Sequence, residues 1–237
     1  MPERNLELGL KEIFKTISTP RLPEISSLLL KYIEEIELFN PAYGLVKVRD
    51  REELIIKHIL DSLAPLEILQ TLTGNAGIGD GALQKTRQGS PGAKAEIADV
   101  GSGAGFPGIP LAISLANLNF TLIERMGRRA GFLRNCAALL GLPNLTVEEA
   151  EMEKAKAGRF NIIVFRAFRP LEKSILKSLK RLLAPGGVMA AYKGRLASAR
   201  AEMEEAEKAV PEIAGHWEIR PLTVPFLDEE RHLVLIV

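Results

Sequence analysis

The densest chemical signal in the chain is Ala98-Asp99-Val100-Gly101-Ser102-Gly103-Ala104-Gly105-Phe106-Pro107-Gly108. It follows the apolar run Ile97–Val100, where a strand should end and a helix begin. Glycines at such a turn let the backbone approach a ligand, and a helix N-terminus offers free N–H donors. Pro107 fits the first helical position, where its missing N–H costs nothing. Glu124 closes the next apolar run, about 20 residues on, where a carboxylate can accept from ribose hydroxyls. A dinucleotide fingerprint spaces its glycines G-x-G-x-x-G. Here the spacing is G-x-G-x-G, with Phe106 where the third glycine would stand. Asp99 precedes the first glycine by two residues and would be a poor neighbour for a pyrophosphate. It suits a ligand carrying an ammonium group and a sulfonium, such as S-adenosylmethionine. A glycine-rich turn without a ligand is the competing reading, and the coincidence with Glu124 weighs against it.

Two further groups could carry chemistry. His58, Asp61 and Ser62 have the i, i+3, i+4 spacing of one helix face. A Ser-His-Asp nucleophile would need tertiary orientation, and a metal site would need more ligands than His216 and His232 readily supply. A role in packing against the sheet or in facing substrate is therefore expected. Arg125, Arg128 and Arg129 crowd the start of a helix, with Arg134 further along. Cations there oppose the helix dipole, at roughly 0.3–1 kcal/mol each when exposed, which hints at an anionic ligand. Arg166, Arg169, Lys193 and Arg195 follow the ends of two later strands.

The elements that must position these residues are legible as patterns. Leu22, Ile25, Leu29, Ile33, Ile36 and Phe39 recur at helical spacing, and Asn40-Pro41 should end that helix. Ile55, Ile59 and Leu63 mark another helix, with Pro65 kinking it or opening a new one. Thr71 to Lys94 holds six of the 20 glycines and few large apolar residues, and reads as a mobile connection. The apolar runs Ile97–Val100, Phe120–Ile123, Leu145–Val147, Ile162–Phe165 and Val188–Tyr192 then alternate with helical segments. One of these, Gly127–Leu140, is closed by Gly141 and Pro143. This alternation predicts a parallel sheet with crossover helices. His216–Val224 and His232–Val237, joined by Pro-Phe-Leu-Asp, suit an antiparallel pair at a sheet edge. The division expected is a helical extension over 1–70, a connection over 71–95 and an α/β domain over 96–237.

Composition sets the bounds. The chain has 237 residues, 46% of them hydrophobic, which excludes global disorder. Lys plus Arg number 31 against 30 Asp plus Glu, so bulk charge cannot hold nucleic acid and a local basic patch must do so. The single cysteine, Cys136, fits a reducing compartment. Glu3, Arg4 and Glu7 spoil any signal-peptide core, so a cytoplasmic protein is expected. Val100–Ile123 lacks charge over a span long enough to cross a bilayer, but its glycines, prolines and asparagines break it into a strand, a loop, a helix and a strand.

The chain resembles the RsmG (GidB) family of bacterial small-subunit rRNA methyltransferases. The resemblance rests on Arg49-Asp50, His58-Ile59-Leu60-Asp61-Ser62 and Asp99 through Pro110. It continues in Arg128-Arg129 with Phe132-Leu133, Arg166-Ala167-Phe168, Tyr192-Lys193-Gly194 and Glu230 through Val234. It implies a class I S-adenosylmethionine-dependent methyltransferase fold, α/β and Rossmann-like. Its seven-stranded, mostly parallel sheet would carry an antiparallel edge hairpin and an N-terminal helical extension. The reaction implied is methyl transfer from S-adenosylmethionine to N7 of one guanine in 16S rRNA, as RNA or within the small subunit, by a monomer without a metal.

The same resemblance implies cofactor contacts at Asp99, Gly101, Gly103, Gly105 and Phe106. Glu124, Arg125 and Met126 would form the ribose region, and Glu151, Met152 and Glu153 the adenine region. Arg166 matches the family's arginine after the fourth strand, near the cofactor or the guanine. Arg128, Arg129, Lys193, Arg195 and His58 are the candidates for contact with RNA. Two departures stand out: Gly44-Leu45-Val46 replaces the family's Asn-Leu-Thr, and the glycine-rich connection is long. A methyltransferase acting on a small molecule is the alternative, in which the glycine loop and Glu124 would serve unchanged.

Overall fold

The structure, a computed structural model, describes residues 2–17, 19–74, 94–167 and 170–237. Most of the expected glycine-rich connection, together with Phe168 and Arg169, lies outside the described residues. Helices α1 (Pro2–Ile13), α2 (Leu22–Tyr43), α3 (Arg51–Leu54), α4 (Asp61–Leu63) and α5 (Leu66–Thr73) precede the sheet. A π-helical stretch, Ile55–Leu60, joins α3 to α4. The strands are β1 (Glu96–Val100), β2 (Asn119–Glu124), β3 (Leu145–Glu149), β4 (Phe160–Arg166), β5 (Leu183–Lys193), β6 (Trp217–Leu222) and β7 (Arg231–Ile236). The remaining helices are α6 (Gly108–Ser114), α7 (Gly127–Leu139), α8 (Lys173–Leu182) and α9 (Leu196–Ala209).

The seven strands run in the order β3-β2-β1-β4-β5-β7-β6. β7 is antiparallel to both β5 and β6, and the other pairs are parallel. This is the expected fold. The strand order reverses between β1 and β4, so the carboxyl ends of β1, β2 and β4 frame the crevice where open α/β sheets bind ligands. The uncharged stretch from Val100 divides as expected into β1, a loop, α6 and β2.

Side-chain alternation decides what faces what. Ile97 in β1 and Ile162 and Val164 in β4 join the core beneath the N-terminal helices, α6 and α7. Ala98, Ile163 and Phe165 join the opposite core, beneath α8 and α9. The strand period of two therefore turns Asp99 and Arg166 toward the N-terminal helices. Those helices hold no core of their own. Leu6, Leu10, Ile25, Leu29, Ile55 and Ile59 pack in the same cluster as Leu122, Val164 and Leu235.

Three local expectations need correction. Pro41 does not end α2, which continues to Tyr43 and stops at Gly44, a left-handed cap whose N–H donates to Asn40 O. A proline in the last turn forfeits little, and the Asn40 side chain bridges both backbone groups of Val46 to fix the exit. Pro107 is the cap of α6 and not its first residue. Pro65 opens α5 from its N-cap, and that helix runs three residues past the expected boundary at Gln70.

Candidate active site

The glycine loop sits at the carboxyl end of β1. Gly101, Gly103 and Gly105 have φ values of 72°, 58° and 101°, which L side chains rarely adopt. The Gly101 N–H donates to Ile123 O at 2.9 Å, tying the loop to β2. The glycines nevertheless serve different ends. A Cβ on Gly103 would meet nothing closer than Gly101 O at 3.9 Å, with Arg129 Nη1 at 4.0 Å. A Cβ on Gly105 would lie 2.7 Å from Ile109 Cδ1 and 2.8 Å from the Tyr32 hydroxyl. One on Gly108 would lie 2.6 Å from Asp99 Oδ2. Gly103 thus opens the crevice, while Gly105 and Gly108 let the loop close against the protein. Phe106 also faces inward, 5% exposed, with its ring tilted against Tyr32 and His58. A ligand would meet Gly105 and Phe106 through backbone.

Two carboxylates brace the loop. Asp99 is fully buried, and its Oδ2 accepts from the Gly108 N–H at 2.9 Å. Its Oδ1 has no hydrogen-bond partner, and burial pushes its pKa up to about 7. Glu124 is 5% exposed, with Oε2 accepting from the Gly103 N–H and Oε1 from the Met126 N–H, each at 2.9 Å. A carboxylate has about four acceptor positions, so Glu124 can hold the loop and still accept from hydroxyls. Arg125 and Met126 are exposed beside it.

Arg166 is the meeting point of the sheet and the N-terminal helices. Its Nη1 donates to Asp61 Oδ2 at 2.9 Å and to the Lys57 carbonyl at 3.2 Å. Its Nη2 lies 2.9 Å from His58 Nδ1, and the guanidinium stands 5.0 Å from the centre of the Phe106 ring. Arg231 Nε forms an ion pair with Asp61 Oδ1 at 3.2 Å, outside hydrogen-bond alignment. Burial first, then Arg166, holds the His58 imidazole at a pKa of about 4. The helix face carrying His58, Asp61 and Ser62 is thus docked against the sheet, the expected packing role. Ser62 contributes its carbonyl, which accepts from the Tyr192 hydroxyl at 2.8 Å.

The other expected residues are spread along the same edge. Arg128 is exposed with its guanidinium 5.5 Å from the centre of the Tyr43 ring, and Arg129 leans over the glycine loop. Among the described residues neither forms an ion pair with a carboxylate. Lys193 is paired with Glu202 at 2.7 Å and is 17% exposed, so it arrives at this edge already neutralised. Arg195 is exposed at the N-cap of α9. Glu151 and Glu153 are exposed after β3, but the Met152 side chain is buried in the core beneath α8 and α9. The triplet that reads as one adenine region is therefore split, with Met152 turned away.

Sequence reasoning assigns no role to Arg231, Tyr32 or Tyr192. Tyr32 donates its hydroxyl to Ala104 O at 2.6 Å and so fastens the glycine loop from α2. These contacts join residues far apart in the chain, and no local spacing signals them. A charged residue opening the apolar β7 run was the one available sign, at Arg231.

Comparisons with known proteins give the family and the fold. A family model described as GidB, rRNA small subunit methyltransferase G, matches residues 25–234. The Ribosomal RNA small subunit methyltransferase G of Treponema denticola is 39% identical, with 96% of this chain and 91% of that protein covered. The protein of the same name from Cupriavidus pinatubonensis is 34% identical, with 98% and 92% covered. Among solved structures, a SAM dependent methyltransferase from Aquifex aeolicus shares the fold at a TM-score of 0.51. That alignment covers 86% of this chain and 98% of that one at 17% identity.

Proposed function

The chain belongs to the GidB family of small-subunit rRNA methyltransferases, and from that membership we propose that it methylates N7 of a guanine in 16S rRNA, using S-adenosylmethionine. The observation that carries the reading is the open side of Gly103 in the crevice framed by β1, β2 and β4, beside Glu124 and under Arg129. The residues fit the methyl donor. Gly101 and Gly103 leave backbone accessible, Glu124 has acceptor capacity for the ribose, and Asp99 holds the loop from beneath through the Gly108 N–H. S-adenosylmethionine supplies a methyl group on a sulfonium sulfur.

The chain's own residues then bind and orient. Guanine N7 has a lone pair and no proton, so no side chain need remove one before it attacks. Catalysis is by proximity and alignment. This suits a site where the His58 imidazole already spends Nδ1 on Arg166. Among the described residues no helix is long and apolar enough to cross a membrane. On this reading the protein works in the cytoplasm, as a monomer, on RNA or on the small subunit. Labelled methyl transfer from S-adenosylmethionine to small subunits from cells lacking the enzyme tests the reading. Transfer to a small molecule and not to subunits would overturn it.

Two variants separate donor from RNA. Glu124→Ala should weaken S-adenosylmethionine binding by roughly 1–3 kcal/mol, the scale of lost hydrogen bonds to a charged group. Calorimetry showing unchanged affinity, with only the RNA step impaired, would place the ribose elsewhere. Arg128 and Arg129, without carboxylate partners, are positioned for phosphates. Changing both to Glu should raise the KM for RNA sharply and flatten its salt dependence, since each lost phosphate contact removes about 0.7–0.9 from the slope against log salt. Arg129 overhangs the loop, so the control is Arg128→Glu alone, which should keep its affinity for S-adenosylmethionine. Unaltered kinetics across a salt series would mean that RNA docks on another face.

A further inference from the structure

Arg166 has more acceptors than a surface arginine would gather. A carboxylate, a helix carbonyl and an imidazole nitrogen converge on two of its nitrogens, and all three come from Lys57–Asp61. That segment spans the end of the π-helical stretch and the start of α4, where the Asp61 N–H donates to Ile56 O five residues back. The wider turn belongs to a class of helix irregularity frequent at functional sites. A guanidinium can only donate, so His58 Nδ1 must present a lone pair, and the imidazole proton sits on Nε2. Arg166 and Arg231 already share the single buried carboxylate of Asp61. A third positive charge there would face both guanidinium groups, with Asp61 already the carboxylate paired to each.

We propose that His58 and Asp61 are positioning residues for methyl transfer: the neutral His58 imidazole, as its Nε2–H tautomer, and the Asp61 carboxylate hold Arg166 over Phe106 at the rim of the glycine loop. This replaces the RNA contact expected of His58 from sequence. It explains why the helices before the sheet are part of the active site though they carry none of the glycine loop. It rests on the methyltransferase reading for its kinetic consequences, but the clamp itself does not.

The test has two arms. In the first, nitrogen-15 spectra of the full-length protein without ligand should show His58 as the Nε2–H tautomer. It should stay neutral well below the pH at which an ordinary histidine protonates. Arg166 is the neighbouring charge that contributes most to this, with Lys57 and Arg231 acting in the same sense and Glu53 against them. Arg166→Met should therefore raise the His58 pKa. In the second arm, His58→Leu should weaken S-adenosylmethionine binding about tenfold while leaving the KM for RNA within about twofold. His58→Asn, whose side-chain oxygen can accept from Arg166, should recover affinity to within about threefold of the wild type. In an Arg166→Met background, His58→Leu should cost less than about twofold further.

Additive losses in that cycle, or a His58→Leu effect confined to a salt-dependent KM for RNA, would overturn the proposal. So would a His58 pKa indifferent to Arg166→Met. If the wild type bound no S-adenosylmethionine, the methyltransferase reading would fall, and the spectra would still decide the clamp.

Discussion

The Gly101→Val protein is expected to fold and yet to bind no S-adenosylmethionine that calorimetry can measure, a loss of at least about 100-fold, or roughly 2.7 kcal/mol. Gly101 has a φ of 72°, and its N–H donates to Ile123 O at 2.9 Å. The left-handed region costs L residues roughly 1–2 kcal/mol, and a β-branched side chain is an outlier there. Relieving the strain would turn the backbone that leads into Gly103, the open side of the crevice. A matched control is available in Gly141, with a φ of 60° just beyond α7 and open space where a Cβ would stand. Gly141→Val should suffer similar backbone strain and keep its affinity. If both variants bound normally, the glycine loop would not be the donor site. If both lost binding equally, the loss would report strain alone.

The second large effect concerns stability. Asp61→Ala is expected to destabilise the fold by about 3–5 kcal/mol, the cost of removing one partner from a buried ion pair. Asp61 is 4% exposed and faces both Arg166 and Arg231, with side chains 14% and 19% exposed. The loss leaves the largely buried Arg166 guanidinium without a carboxylate partner, while Arg231 keeps Glu229 at 3.0 Å. Urea denaturation read by fluorescence of Trp217 gives the number directly. A change below about 1 kcal/mol would mean that water reaches and screens these arginines, as it does at a surface pair. Lys208–Glu205, exposed on α9, is the contrasting pair, and its loss should be within the scatter of such measurements.

Much of the fold was legible because the sheet is buried on both faces. The runs at Ile97, Phe120, Ile162 and Val188 are continuous apolar stretches, and glycine and proline mark where they stop. The charged and polar start of β7 did not hide its pairing with β6, because the intervening loop is short; its pairing with β5 had no such local sign. Boundaries were less legible where one local rule opposed another. At Pro41 the bias against helix before proline lost to a last turn that Gly44 completes three residues later.

Within the site, residue type was legible and direction was not. The sequence could not divide Gly103, which opens space, from Gly105 and Gly108, which let the protein close on itself, because all three read alike. Met152 lay between two exposed glutamates and turned into the core. Lys193 stood at the right edge but had Glu202 waiting on α9. The polar residues on the His58 helix face were a visible anomaly among Ile55, Ile59 and Leu63. Their partner Arg166 is 108 residues away from His58, and only the strand period of β4 could have suggested the direction in which it points.

On the proposed function, the protein places a methyl group on guanine N7 of small-subunit rRNA. Mapping modified nucleotides in 16S rRNA from cells with and without the protein tests it most directly, by nuclease digestion and mass spectrometry. One 7-methylguanosine should be present with the protein, absent without it, and restored by the wild type but not by Gly101→Val. Identical modification in both RNAs, or a missing methyl group on any atom other than guanine N7, would contradict the account.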